Sequence, residues 1–130
     1  MAFYLDTSAL VKLVVAEAET EALREWLAAA ERNPVTCELA RTELMRAVRR
    51  RAPEAMVRAR LVLDAVTVLE VPSPTFDRAG RVDPTSLRTL DAVHIAAALD
   101  LGDDLEGLVA YDSRLSEAAE ANGIPLTSPV

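Results

Sequence analysis

Apolar residues recur along the chain in two rhythms. Short apolar runs that fit buried strands fall at Phe3 to Leu5, Pro34 to Thr36, Val66 to Val71, Leu108 to Tyr111 and Ile124 to Thr127. Between them the spacing is helical: Ser8 to Val15, Glu19 to Arg32, Glu38 to Arg51, Pro53 to Ala65, Phe76 to Val82, Leu90 to Leu101 and Arg114 to Asn122. Pro53 suits a first helical position, and Gly123 stops the last helix. Pro72-Ser73-Pro74 is the strongest punctuation and divides two halves of one domain. Strands separated by helices require crossover connections, so the pattern predicts an α/β sandwich around a parallel sheet of about five short strands. Ligands of such sheets bind beyond the carboxyl ends of the strands.

Composition narrows the picture. A chain of 130 residues, 51% hydrophobic and 27% charged, fits a single domain over 1–130 with a real core. The lone Cys37 has no disulfide partner and no zinc-ligand spacing around it, which points to a reducing, cytoplasmic setting. The start lacks a basic leader, and no apolar run approaches the roughly 18 residues of a membrane span. The net charge of −7 argues against holding nucleic acid by overall field. Locally the sign reverses, because Arg41 to Arg60 holds seven arginines against Glu43 and Glu54.

Four acids stand out by position. Asp6 and Asp112 directly follow predicted strands, where an acid serves equally as a helix N-cap. Glu43 falls within the apolar half of its helix, beside Leu39, Ala40, Leu44 and Ala47, with a pair to Arg46 or Arg50 as the plainer alternative. Asp91 shares the stripe of Ile95 and Ala98 on a very apolar helix. Burying an ionised carboxylate there costs several kcal/mol, of which a helix N-terminus returns at most about 1 kcal/mol. Lys12 and Arg114 are the only basic residues expected near the strand ends. A divalent ion shared by the carboxylates resolves the conflict, and all-oxygen donors suit Mg²⁺ or Mn²⁺. Such a cluster activates water and neutralises charge on a phosphodiester in transit.

These residues lie in motifs that resemble a known family. Phe3-Tyr4-Leu5-Asp6-Thr7-Ser8-Ala9-Leu10 resembles the opening of PIN-domain proteins, and Glu38-Leu39-Ala40-Arg41-Thr42-Glu43-Leu44 their second motif. Leu87 to Ala96, around Leu90-Asp91-Ala92, resembles the third, and Val109-Ala110-Tyr111-Asp112-Ser113-Arg114-Leu115 the fourth. Order, spacing and length agree over the whole chain, and the small stand-alone form is most similar to the VapC toxins of toxin–antitoxin pairs. The resemblance implies a PIN-like three-layer sandwich and a Mg²⁺- or Mn²⁺-dependent endoribonuclease acting on transfer or ribosomal RNA. It carries metal and catalytic roles onto Asp6, Glu43, Asp91 and Asp112, with Thr7 or Ser8 as supporting hydroxyls. It also implies a cognate VapB-type antitoxin and a homodimer. Some relatives carry a further acid where this chain has Ser113 and Arg114, so a second metal site is not carried over.

Other residues receive plainer roles. His94 is expected to be structural, hydrogen-bonded in the core or near Asp91, and Trp26 and Cys37 to pack rather than bind or react. The Arg46, Arg49, Arg50, Arg51 group reads as a solvated helix face, with phosphate contact as the alternative. The helices Glu19 to Arg32, bearing Trp26, and Glu38 to Arg51 are expected to flank a groove toward Glu43 that takes an antitoxin segment, whose arginine would meet the acids. A phosphoacceptor domain would need a lysine after a late strand, and none follows Lys12. An aspartyl phosphatase would need a second Asp two residues beyond Asp6. The remaining rival is a catalytically idle PIN-like module that binds RNA or protein.

Overall fold

A computed structural model describes residues 1–130. Five strands form one parallel sheet: β1 (Ala2–Leu5), β2 (Asn33–Cys37), β3 (Thr67–Leu69), β4 (Leu105–Val109) and β5 (Leu126–Thr127), in the order β3-β2-β1-β4-β5. The helices are α1 (Thr7–Val14), α2 (Thr20–Ala28), α3 (Leu39–Arg51), α4 (Met56–Ala65), α5 (Ser73–Ala79), α6 (Thr89–Leu99) and α7 (Ser113–Ala121).

Strand alternation sorts the core into two layers. Tyr4, Val35 and Leu108 face α6 and α7, packing with Ile95, Leu115 and Ala118. Leu5 and Val109 face the opposite way, onto Leu10, Leu23, Leu44 and Leu63 of α1 to α4. The result is the expected three-layer sandwich. With β1 central, Leu5 pairs in register with Val109 of β4 and Tyr4 with Val35 of β2, so the three strands release their chains at one edge. Gly107 lets β5 approach, since a Cβ there would stand 2.9 Å from the Pro125 carbonyl, which accepts the Leu108 N–H at 2.8 Å.

Several boundaries differ from those the sequence predicts. α2 ends at Ala28 rather than Arg32, whose guanidinium turns back to the Trp26 carbonyl and lies 4.2 Å over the Trp26 ring. α5 begins at Ser73, because Pro74 sits in its first turn and starts the helix instead of interrupting it. β4 begins three residues early, at Leu105, ahead of the apolar run that marked it. Pro53–Ala55 is a 3₁₀ turn leading into α4.

The expected groove between the second and third helices is replaced by a cleft of about 830 Å³ lined by Leu13, Arg24, Val57, Arg58, Leu61 and Val62 of α1, α2 and α4. Trp26 takes no part in it, being packed edge-on against Phe3 with centroids 4.7 Å apart. The corner between α1 and α2 is closed by Lys12, which is 8% exposed. Its ammonium meets Glu19 at 2.7 Å and Glu17 at 3.3 Å and lies 4.6 Å over the Tyr111 ring.

Candidate active site

Asp6 leaves the end of β1 and caps α1, and it is 5% exposed. Its Oδ1 accepts from Ser8 Oγ at 2.6 Å and from the Ala9 N–H at 3.1 Å. The Ser8 hydroxyl in turn accepts the Tyr111 N–H at 3.0 Å, tying the start of α1 to the chain leaving β4. Asp112, one residue further, caps α7 and accepts the Arg114 N–H at 3.4 Å. Capping and the shared strand-end position therefore coexist in both aspartates.

Glu43 projects from α3, half-buried, and one oxygen takes both of its bonds. Oε1 accepts from Thr7 Oγ1 at 2.7 Å and meets His94 Nε2 at 2.5 Å. Neither Arg46 nor Arg50 pairs with it, so that alternative falls. His94, 2% exposed on α6, is fixed on its other side by Tyr4 Oη at 2.7 Å, with Cys37 Sγ 3.8 Å away. His94 is thus the cation that residue counting missed: it lies in the core as expected, but its acid partner is Glu43 and not Asp91. Lys12, expected near the acids, is spent on Glu17 and Glu19. Asp91 lies in the first turn of α6, half-buried rather than sealed in the core.

The charges interact across the sheet edge. Burial pushes the Asp6 carboxyl up to about 6 against its bonds to Ser8 and Ala9, and the charge of Asp112 adds to the rise. Asp91 is raised by burial and then by Asp112 and Glu43, with His94 and Arg88 opposing. Glu43 is lowered: burial works against its charge, but the His94 and Thr7 bonds outweigh it. His94 is held up to about 10, because contacts with Cys37 and Glu43 overcome its burial. Asp91 thus feels the charges of Asp112 and Glu43, and Asp6 that of Asp112. No three of the acidic, histidine or cysteine side chains stand close enough together to enclose an ion as placed. The donor set nonetheless fits a hard cation. Asp6 Oδ2, Glu43 Oε2, Asp112 Oδ2 and both Asp91 oxygens carry no protein hydrogen bond, while Oδ1 and Oε1 of the first two are anchored.

The PIN domain family model matches residues 3–121. The chain belongs to the PIN-domain family. Among its relatives, Ribonuclease VapC46 of Mycobacterium tuberculosis is 43% identical over 129 residues, covering 98% of each chain. Ribonuclease VapC47 of the same species is 41% identical over 130 residues, 97% of this chain and 96% of the relative. Among solved structures, the PIN-domain chain is similar in fold to M. tuberculosis VapC20, described as a sarcin–ricin loop cleaving toxin. That likeness has a TM-score of 0.79 at 21% identity and covers 98% of this chain and 100% of the other. A toxin–antitoxin complex from Klebsiella pneumoniae gives a TM-score of 0.74 at 18% identity, covering 100% and 98%.

Proposed function

We propose that this PIN-domain chain is a divalent-metal-dependent endoribonuclease, the toxin of a type II toxin–antitoxin pair, cutting transfer or ribosomal RNA in the cytoplasm as a homodimer. The observation that carries the reading is kinship with VapC ribonucleases over nearly the full length of both chains, and it is supported by four carboxylates, Asp6, Glu43, Asp91 and Asp112, each with an oxygen that accepts no protein hydrogen bond. Asp6, Glu43, Asp91 and Asp112 are the residues that would hold Mg²⁺ or Mn²⁺, in part through retained waters. When bound, the ion supplies activation of an attacking water and neutralisation of charge on the phosphodiester. The surrounding residues do the positioning. Thr7 and His94 fix one Glu43 oxygen, and the other accepts no protein hydrogen bond. Ser8 fixes Asp6 and joins it to the backbone before Asp112.

For the antitoxin, the apolar cleft between α1, α2 and α4 offers a helix-sized surface, with Val57 and Leu61 75% and 61% exposed. An arginine following such a segment would pair with the acids in place of the metal. The first prediction is that purified protein cleaves RNA only with Mg²⁺ or Mn²⁺. Chelator, Asp6→Asn or Asp91→Asn should each abolish cleavage while the circular dichroism spectrum is kept. Undiminished cleavage by the Asp91→Asn variant would refute the assignment, and RNA binding without metal-stimulated cleavage would favour the idle module.

A further inference from the structure

Arg46, Arg49 and Arg50 line a cleft of about 230 Å³ with no other residue. All three are exposed, and none meets an acid within ion-pair distance, in a chain of net charge −7. Their neighbour Arg51 is different: it turns the other way around α3 and binds Glu17 at 2.9 Å. Helix geometry relates the cleft to the site. At about 100° per residue, Arg46 and Arg50 lie roughly 60° and 20° from Glu43 around α3, and Arg50 about 10 Å along it. Arg46 and Arg50 thus continue the line of Glu43, Arg49 lies about 120° round the helix from it, and all three point away from the buried stripe of Ala40, Leu44 and Val48.

A second basic cleft lies on the other flank. Arg88, which caps α6, and Arg114, in the first turn of α7, line a space of about 490 Å³ with Ser86 and Glu117. Neither guanidinium has an acid within ion-pair distance. Arg88 is near enough to Asp91 to act on its charge, and Arg114 follows Asp112 by two residues. In the sheet, α3 departs from β2 and α7 from β4, with β1 and Asp6 between them. The acids are therefore bracketed by unpaired arginines on both sides. The macrodipole of α3 favours cations in its last turn, which accounts in part for Arg49 and Arg50 but not for mid-helix Arg46, nor for the second cleft.

We infer that the two arginine clefts are phosphate-binding subsites for one single-stranded RNA backbone, which crosses the four acids from Arg88 and Arg114 to Arg46, Arg49 and Arg50. The inference rests on the ribonuclease reading for the identity of the strand, but the subsites bind whether or not it is cut. Guanidinium–phosphate pairs form here without breaking an existing ion pair, and an overall acidic body then confines RNA to this strip.

The test is fluorescence anisotropy with a short labelled single-stranded RNA in chelator, where no metal-dependent cleavage intervenes. The wild-type chain is compared with the triple variant Arg46→Ala, Arg49→Ala, Arg50→Ala and with the pair Arg88→Ala, Arg114→Ala. Each set should weaken binding about tenfold at low salt, and the salt slope should fall by about 0.7 for every phosphate no longer neutralised, near 2 for the triple variant. The triple Arg→Lys variant should keep the slope. With Mg²⁺ or Mn²⁺, KM should rise in the triple alanine variant and kcat stay within about twofold, since Arg46, Arg49 and Arg50 pair with none of the four acids. Unchanged affinity and slope in the triple variant would overturn the track. So would loss of affinity for the purified cognate antitoxin with RNA binding intact, which would make the strip a protein contact. A wild-type chain that binds with the expected slopes yet cuts nothing in metal would leave the track supported and end the nuclease reading.

Discussion

Glu43 receives two hydrogen bonds on one oxygen and none on the other, and this asymmetry locates the cost of losing His94. His94→Leu removes the cation from a half-buried carboxylate and leaves the Tyr4 hydroxyl without its partner, so the second prediction is a loss of about 2–4 kcal/mol in urea unfolding. The third prediction concerns Asp6. Its folded pKa of about 6 lies above the reference 3.8, so folding takes up a proton and stability falls as pH rises through that window. In chelator, Asp6→Asn keeps the cap to Ala9 and should stabilise the protein by about 2–3 kcal/mol above pH 6, with no gain below about pH 4. Thermal unfolding across pH checks both sign and window; a gain independent of pH would mean that ionisation is not its source. At this scale Asp6, Glu43, Asp91 and Asp112 were legible as acids in unusual places. The His94 contact was not, because periodicity gives a residue's face but not which of several nearby acids its ring will reach.

Two helices show how one residue serves both local structure and the site. α1 and α7 start on Asp6 and Asp112, and each aspartate caps its helix with one oxygen, leaving the other free. Strands and helices were legible as elements because each carries its own apolar rhythm. The boundaries were less so: α5 begins at Pro72-Ser73-Pro74, where a proline reads as a break until its place in a first turn is known. Gly107 hides inside β4 because the sequence cannot reveal that β5 passes so near. The fourth prediction follows from that approach. Gly107→Ala would force its Cβ against the Pro125 carbonyl at 2.9 Å and should cost about 1–3 kcal/mol, read by chemical denaturation. A neutral result would show that β5 yields at no cost.

For the molecule as a whole, parallel order and three layers followed from alternating elements, but the strand order did not. Nothing in the sequence says that β1 lies centrally with β2 and β4 beside it, and this order is what sets Asp6 between the strands that lead to Glu43 and Asp112. The expected groove shifted for a related reason: Trp26 is consumed by Phe3 and Arg32, so α4 supplies the apolar wall instead. The fifth prediction belongs here. Leu61→Asp, on the exposed face of α4, should weaken a purified antitoxin by at least about tenfold and leave RNA cleavage unchanged, because the cleft is lined by none of the acids. Calorimetry and cleavage on the same preparation separate the two effects.

Lys12 is the only side-chain amine in the chain, and the fold encloses it between two carboxylates and the face of Tyr111. Burial is the largest influence on its ammonium, yet the contacts with Glu19 and Glu17 outweigh it and raise the pKa, so little free amine exists at neutral pH. An acylating reagent should therefore meet one reactive amine on the folded chain, the α-amino terminus, and a second only when the corner between α1 and α2 opens. The mass added per molecule becomes a chemical clock for that opening. Because α1 begins at Asp6, the same clock would register whether a ligand at the acids steadies the corner one helix length away.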